Sequence, residues 1–184
     1  MSAMMKSNEV LISVHAFASD GEELMKKVLS GLSLHLTVGS ISSVYKVHRT
    51  AHHPQHIHDL RRQTTYAGLS ISLRGITDLS PSELLAYLQH LERQLRSQVL
   101  HQNLSLNLLA YNDESILTPD ITLPHPGFHN RPEELVPSAE IWPDYVHPVL
   151  NTSLRDLASS YDLAAWGEFF SQGKSLLDFC KPEA

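Results

Sequence analysis

Seven prolines fall between Thr118 and Leu150, in the run TPDITLPHPGFHNRPEELVPSAEIWPDYVHPVL, at positions 119, 124, 126, 132, 137, 143 and 148. Each proline fixes φ and removes a backbone donor, so neither a long helix nor an interior strand is expected to run through this stretch. The expectation is a wrap of fixed shape, pinned to a core by Leu135, Val136 and Ile141, that holds His125 and Arg131 near each other. Arginine stays cationic and histidine titrates near neutrality, so such a pair suits an anionic group such as phosphate. A surface arginine and a structurally hydrogen-bonded histidine on a rigid loop would account for the same two residues.

With 184 residues and 42% hydrophobic content, the chain reads as one globular domain over 1–184, with a core from about 10 to 157 and an apolar tail over 160–184. Net charge is −6 and no basic run is longer than the pair Arg61-Arg62, which argues against nucleic acid and anionic membrane as partners. The single Cys180 cannot form an intrachain disulfide, which fits a reducing, cytoplasmic setting. The first apolar run is too short, and too interrupted by Ser13 and His15, for a signal peptide or a membrane span.

Local patterns predict the elements. Val10–Phe17 is a β-rich first strand, and Ser19-Asp20-Gly21-Glu22 has the form of a capping box before a helix with Leu24, Val28, Leu29 and Leu32 on one face. Leu36–Val47 reads as a second strand and Thr65–Arg74 as a third. Ser80-Pro81-Ser82-Glu83 opens a second helix, whose Leu84, Leu85, Leu88, Leu91 and Leu95 repeat at helical spacing. Leu104–Tyr111 is a fourth strand. The order βαββαβ implies an α+β, ferredoxin-like antiparallel sheet with helices on one face, to which the proline-rich wrap and short terminal helices are added. The tail carries Tyr161, Leu163, Trp166, Phe169, Phe170, Leu176, Leu177 and Phe179, and is too apolar to be left in solvent. It should dock as one or two short helices, on this chain, on a protein partner or on a second copy.

Five of the twelve histidines lie between His48 and His58. Imidazoles at such spacings chelate Zn²⁺ or Ni²⁺, but no cysteine or well-spaced carboxylate completes a site. A solvated loop is the simpler expectation, with a metal-handling role as an alternative.

Several runs together carry a resemblance: Leu123-Pro124-His125-Pro126, Asn130-Arg131, Val136-Pro137-Ser138-Ala139-Glu140-Ile141, His147-Pro148 and, upstream, Ser42-Ser43-Val44-Tyr45. They resemble the signature of the 6-hydroxymethyl-7,8-dihydropterin pyrophosphokinases, and the likeness extends from about Val10 to Leu157. That family transfers pyrophosphate from ATP to a pterin hydroxymethyl group with two Mg²⁺ ions. The resemblance implies that His125 and Arg131 occupy nucleotide and phosphate positions, and that Tyr66 is an aromatic that stacks on the pterin. Gly68 replaces an Asn that hydrogen-bonds the pterin ring, and Glu133 replaces the second stacking aromatic. His15, Ala16 and Phe17 replace a Gly-Ser-Asn turn. Val99 and Gln102 replace the Trp and Arg of a loop that closes over ATP.

The resemblance also implies an Asp-x-Asp pair on the fourth strand. Residues i and i+2 on a strand share a face about 6.5–7 Å apart, which suits two carboxylates holding Mg²⁺ against a triphosphate. Here the pair reads Ser105 and Asn107, both neutral, and the nearest acids in sequence are Asp113 and Glu114. No cofactor is therefore expected. The chain reads as a catalytically impaired family member acting as a binding or interaction protein, with a weakly bound pterin or nucleotide as its small ligand. An active pyrophosphokinase with a non-standard site is the alternative.

Overall fold

A computed structural model describes residues 7–47, 68–96 and 103–177. The elements that position the site are β1 (Asn8–Phe17), α1 (Gly21–Leu32), β2 (Thr37–Ile41), β3 (Val44–Val47), β4 (Gly68–Thr77), α2 (Pro81–Arg96) and β5 (Asn103–Tyr111). The hairpin β6 (Ile116–Leu117) and β7 (Thr122–Leu123), then α3 (Pro132–Ile141), β8 (Val146–His147), β9 (Thr152–Ser153) and α4 (Leu154–Ala158), make up the wrap and its exit. The tail forms α5 (Leu163–Trp166), β10 (Gly167–Ser171) and α6 (Lys174–Leu177).

The main sheet is antiparallel in the order β10-β3-β4-β1-β5, with β2 also on β4. On one face, Val10, Ile12, Val14 and Ala16 of β1 and Leu104, Leu106 and Leu108 of β5 pack under the buried leucines of α1 and α2. That alternation is what a strand period of two against a helix period of 3.6 requires. The opposite face carries a smaller core in which Leu11 and Leu109 meet Phe128, Leu135, Tyr145 and Leu154 from the wrap.

Three local expectations for the sheet, the first helix and the wrap are corrected. The predicted second strand is broken into β2 and β3, because the Ser42 hydroxyl accepts from the Ser72 N–H (2.9 Å) while Ser43 turns its own N–H onto Glu140 (3.0 Å). The Ser19 capping box does not form: α1 begins at Gly21 behind Asp20, with no side-chain cap. That glycine packs so closely that a Cβ would stand 2.9 Å from Leu69 Cδ1. The proline-rich stretch does hold a ten-residue helix, α3, with Pro137 inside it. Pro132 at its first turn costs no hydrogen bond. Pro137 removes the bond to the Glu133 carbonyl, and the Ser70 hydroxyl donates to that carbonyl instead (2.7 Å).

Within the described residues the tail folds as α5, β10 and α6, and it buries Trp166 to 4% exposure against Tyr45 (ring centroids 5.3 Å apart). It also supplies a strand, β10, where only helices were expected; β10 pairs with β3 and leaves Phe169 and Phe170 exposed. The Ser80–Glu83 cap of α2 forms as predicted, with the Ser80 N–H 2.9 Å from Glu83 Oε2. That bonding holds the exposed Glu83 carboxyl below its ordinary value. Among the described residues no helix is long and apolar enough to cross a membrane.

Candidate functional site

The register of β4, β1 and β5 sets three rows of side chains on the face away from α1 and α2. They are Ser72–Ser13–Asn107, Ser70–His15–Ser105 and Gly68–Phe17–Asn103. Nearly every member is polar, on strands whose other face is apolar, so this surface must find hydrogen-bond partners or solvent. α3 covers it and supplies those partners. Glu134 is 1% exposed. Its Oε1 accepts from Asn107 Nδ2 (2.8 Å) and also lies 3.3 Å from His15 Nε2, 3.4 Å from Ser13 Oγ and 3.5 Å from Arg131 Nη1.

Burial pushes the Glu134 carboxyl up, but the His15 hydrogen bond and the His15, Arg131 and His125 charges outweigh it and hold the group down to about 2. It is therefore an anion at neutral pH, with its charge answered inside the protein. Its other oxygen, Oε2, is buried without a hydrogen-bond partner among the described residues, and so is His125 Nδ1. Burial is the main reason that the His125 imidazole sits below its ordinary value; Glu134 pulls it up by less and Arg131 pushes it down. The Arg131 charge is thus felt at the His125 imidazole. The His125 N–H is tied to the Leu109 carbonyl at 2.8 Å.

The two replaced metal positions do share the outer face of β5. Ser105 Oγ lies 3.3 Å from Asn107 Oδ1, and the Asn107 amide then donates to Glu134, so the polar groups form a closed chain. These residues do not fit an Mg²⁺ pair: both are neutral, one presents N–H, and the adjoining carboxylate is sealed. Among the described residues no group of three His, Cys, Asp or Glu stands close enough to hold a metal ion.

The nearest acid to Asn107 proves to be Glu134 from α3, in place of Asp113 and Glu114. Sequence reasoning missed it because the link spans 27 residues and only the fold closes it. The available signal was a second glutamate beside Glu133 inside an otherwise apolar turn. Glu133 itself takes part through its backbone carbonyl. Gly68 lies directly across from Phe17 at the end of the β1–β4 ladder. Tyr66, Val99, Gln102 and the His48–His58 loop lie outside the described residues.

A shallow groove of about 250 Å³ opens beside His125. It is lined by Leu85, Leu108, the Pro119–Leu123 turn, His125 and Pro126. Among the described residues that line it, Ser105, Asn107 and Glu134 do not appear. The Ser-x-x-Tyr run has a structural job: Ser43 Oγ (2.8 Å) and Tyr45 Oη (2.9 Å) clamp Glu140 and so fasten α3 to β3. Burial, then the Glu140 charge, pushes the Tyr45 phenol up to about 12.

The family model described as 7,8-dihydro-6-hydroxymethylpterin-pyrophosphokinase (HPPK) matches residues 11–143. The 2-amino-4-hydroxy-6-hydroxymethyldihydropteridine pyrophosphokinase of Synechocystis sp. is 35% identical over 107 residues, covering 56% of this chain and 54% of that protein. The match thus spans about half the length of that relative. The Bacillus subtilis protein of the same description is 26% identical over 141 residues, covering 73% of this chain and 78% of that protein. Among solved structures, wild-type Plasmodium falciparum HPPK-DHPS matches with a TM-score of 0.68 at 12% identity, over 85% of this chain and 45% of that chain. At that identity the likeness is one of fold.

Proposed function

Because the chain belongs to the 7,8-dihydro-6-hydroxymethylpterin-pyrophosphokinase family, we propose that it keeps the family scaffold as a binding protein and has lost metal-assisted transfer. The observation that carries this reading is the 2.8 Å bond from the Asn107 amide to Glu134, with Ser105 turned onto Asn107. Pyrophosphate transfer depends on positioning and on stabilising developing negative charge, which metal ions and cations supply. A metal site needs carboxylate oxygens facing the ligand. Here the Asp-x-Asp positions face each other and a carboxylate already claimed by His15 and Arg131. Losing metal coordination removes several kcal/mol of stabilisation, and each ~1.4 kcal/mol is tenfold in rate. The groove beside His125, lined by Leu85, Leu108, Ile121 and Leu123 together with Asp120 and Thr122, is where a weakly bound nucleotide would sit.

Calorimetric titration with ATP, with and without Mg²⁺, tests the reading. Affinity should be the same within about twofold in both; a tenfold or larger gain with Mg²⁺ would contradict it. An active enzyme is the second reading, favoured by one observation: a carboxylate does stand beside Asn107, supplied by α3. It requires Glu134 to leave His15 and Arg131 and turn Oε2 to the cleft.

A further inference from the structure

Phe17 and Gly68 are partners on the last rung of the β1–β4 ladder, on the same face as His15 and Ser70. A Cβ on Gly68 would stand 2.7 Å from Phe17 Cδ1 and 2.9 Å from Cζ, with Cε1 nearer still. Carbon atoms in contact sit about 3.5–4.0 Å apart, so the ring lies directly against the backbone of residue 68, and a side chain there would have to displace it. The backbone of Gly68 is not in the left-handed region, so the residue is small for reasons of space and not of conformation. Phe17 is only half-buried, so its ring forms part of the surface at this corner of the sheet face.

We propose that Phe17 and Gly68 are a co-adapted specificity pair, in which the protein's own aromatic ring fills the corner where an amide at position 68 would read the edge of a hydrogen-bonding heterocycle. This deepens the binding-protein reading and rests on it: the ring-binding half of the cleft is closed to pteridines, and the groove beside His125 is the part left for a ligand. The two replacements make sense only together. An asparagine at 68 collides with Phe17, while a small residue at 17 leaves an open hollow above the glycine. A benzyl side chain offers a stacking face and no hydrogen bond, so recognition of a 2-amino-4-hydroxypteridine edge has no polar partner here.

The test is a fluorescence titration of 6-hydroxymethylpterin against wild type, Phe17→Ala, Phe17→Leu, Gly68→Asn and the double variant Phe17→Asn/Gly68→Asn, with melting curves on each. Wild type should show the weakest binding, Phe17→Ala at least tenfold tighter binding, and the double variant the tightest. Gly68→Asn alone should melt about 5 °C lower through overpacking, and Phe17→Asn in the same chain should restore most of that loss. Wild-type binding equal to that of Phe17→Ala would overturn the proposal. So would the absence of any gain in Phe17→Ala, Phe17→Leu and the double variant alike. An unchanged melting point for Gly68→Asn would overturn the steric half of it. The Mg²⁺ dependence of ATP binding is a separate readout, so a failure of the binding-protein reading is distinguishable from a failure of this inference.

Discussion

The two faces of the main sheet are built on opposite terms. The face under α1 and α2 is a run of aliphatic side chains whose contribution is non-directional and scales with apolar area removed from water. The face under α3 is polar at nearly every rung, and it is held by Glu134 Oε1, Glu140 and the α3 backbone carbonyls of Glu133 and Glu134. In the first face any residue of similar shape serves. In the second each group depends on a named partner, so changes there must come in sets. Ser105, Asn107 and Glu134 form one such set, and Phe17 with Gly68 another.

Substitutions that contrast the faces should differ in size and in pH behaviour. Leu88→Ala, at a fully buried position of α2, should cost about 4 kcal/mol in urea unfolding, as core truncations do. That cost should be independent of pH. Glu134→Ala should cost about 3 kcal/mol at pH 7, because it strands His15 and the Asn107 amide in a buried setting.

The pH dependence of the Glu134 contribution follows from its depressed carboxyl. The unfolded group takes up its proton near 4.5 and the folded group near 2. The stabilisation is therefore fully present above pH 4.5 and is lost as pH falls towards 2. The gap between wild type and Glu134→Ala should close over that window, and a gap that stayed constant would show that the network is not ionic.

Smaller effects sharpen the same contrast at single bonds. Ser70→Ala should cost about 1.5 kcal/mol by removing the buried hydroxyl's bond to the Glu133 carbonyl. Pro137→Ala in the same chain should recover part of that, since it returns the missing helical N–H; additive costs would rule the explanation out. Ser80→Ala should cost about 1 kcal/mol, whereas Ser19→Ala should be neutral within a few tenths, because only Ser80 caps its helix.

The apolar face was readable in the sequence because its signal is local. Leu84, Leu88, Leu91 and Leu95 announce a helix face within a dozen residues, and Val10–Phe17 announces a strand. The wrap was readable in part: prolines predicted its fixed course, yet α3 runs through Pro137 because a serine on β4 completes the broken bond, and no local pattern shows that. The same holds for the candidate site. Ser105 and Asn107 were visible as neutral residues on one strand face, but their partner Glu134 comes from another element and was found only in three dimensions. Phe17 and Gly68 were each visible as departures from the family pattern, and their mutual packing required the antiparallel register. The β10 strand was missed because two adjacent phenylalanines carry no period.

The central claim is that this member of the family has no metal-assisted transfer, and it is most directly tested by AMP release from ATP and 6-hydroxymethyl-7,8-dihydropterin. Wild type and Ser105→Asp/Asn107→Asp should be compared with and without Mg²⁺. Wild type should stay at background in both conditions. The double variant should gain Mg²⁺-dependent ATP binding but little turnover, because groups that act as a unit are not repaired one pair at a time. Robust Mg²⁺-dependent AMP release by the wild-type protein would contradict the account and point to Glu134 as the carboxylate in use.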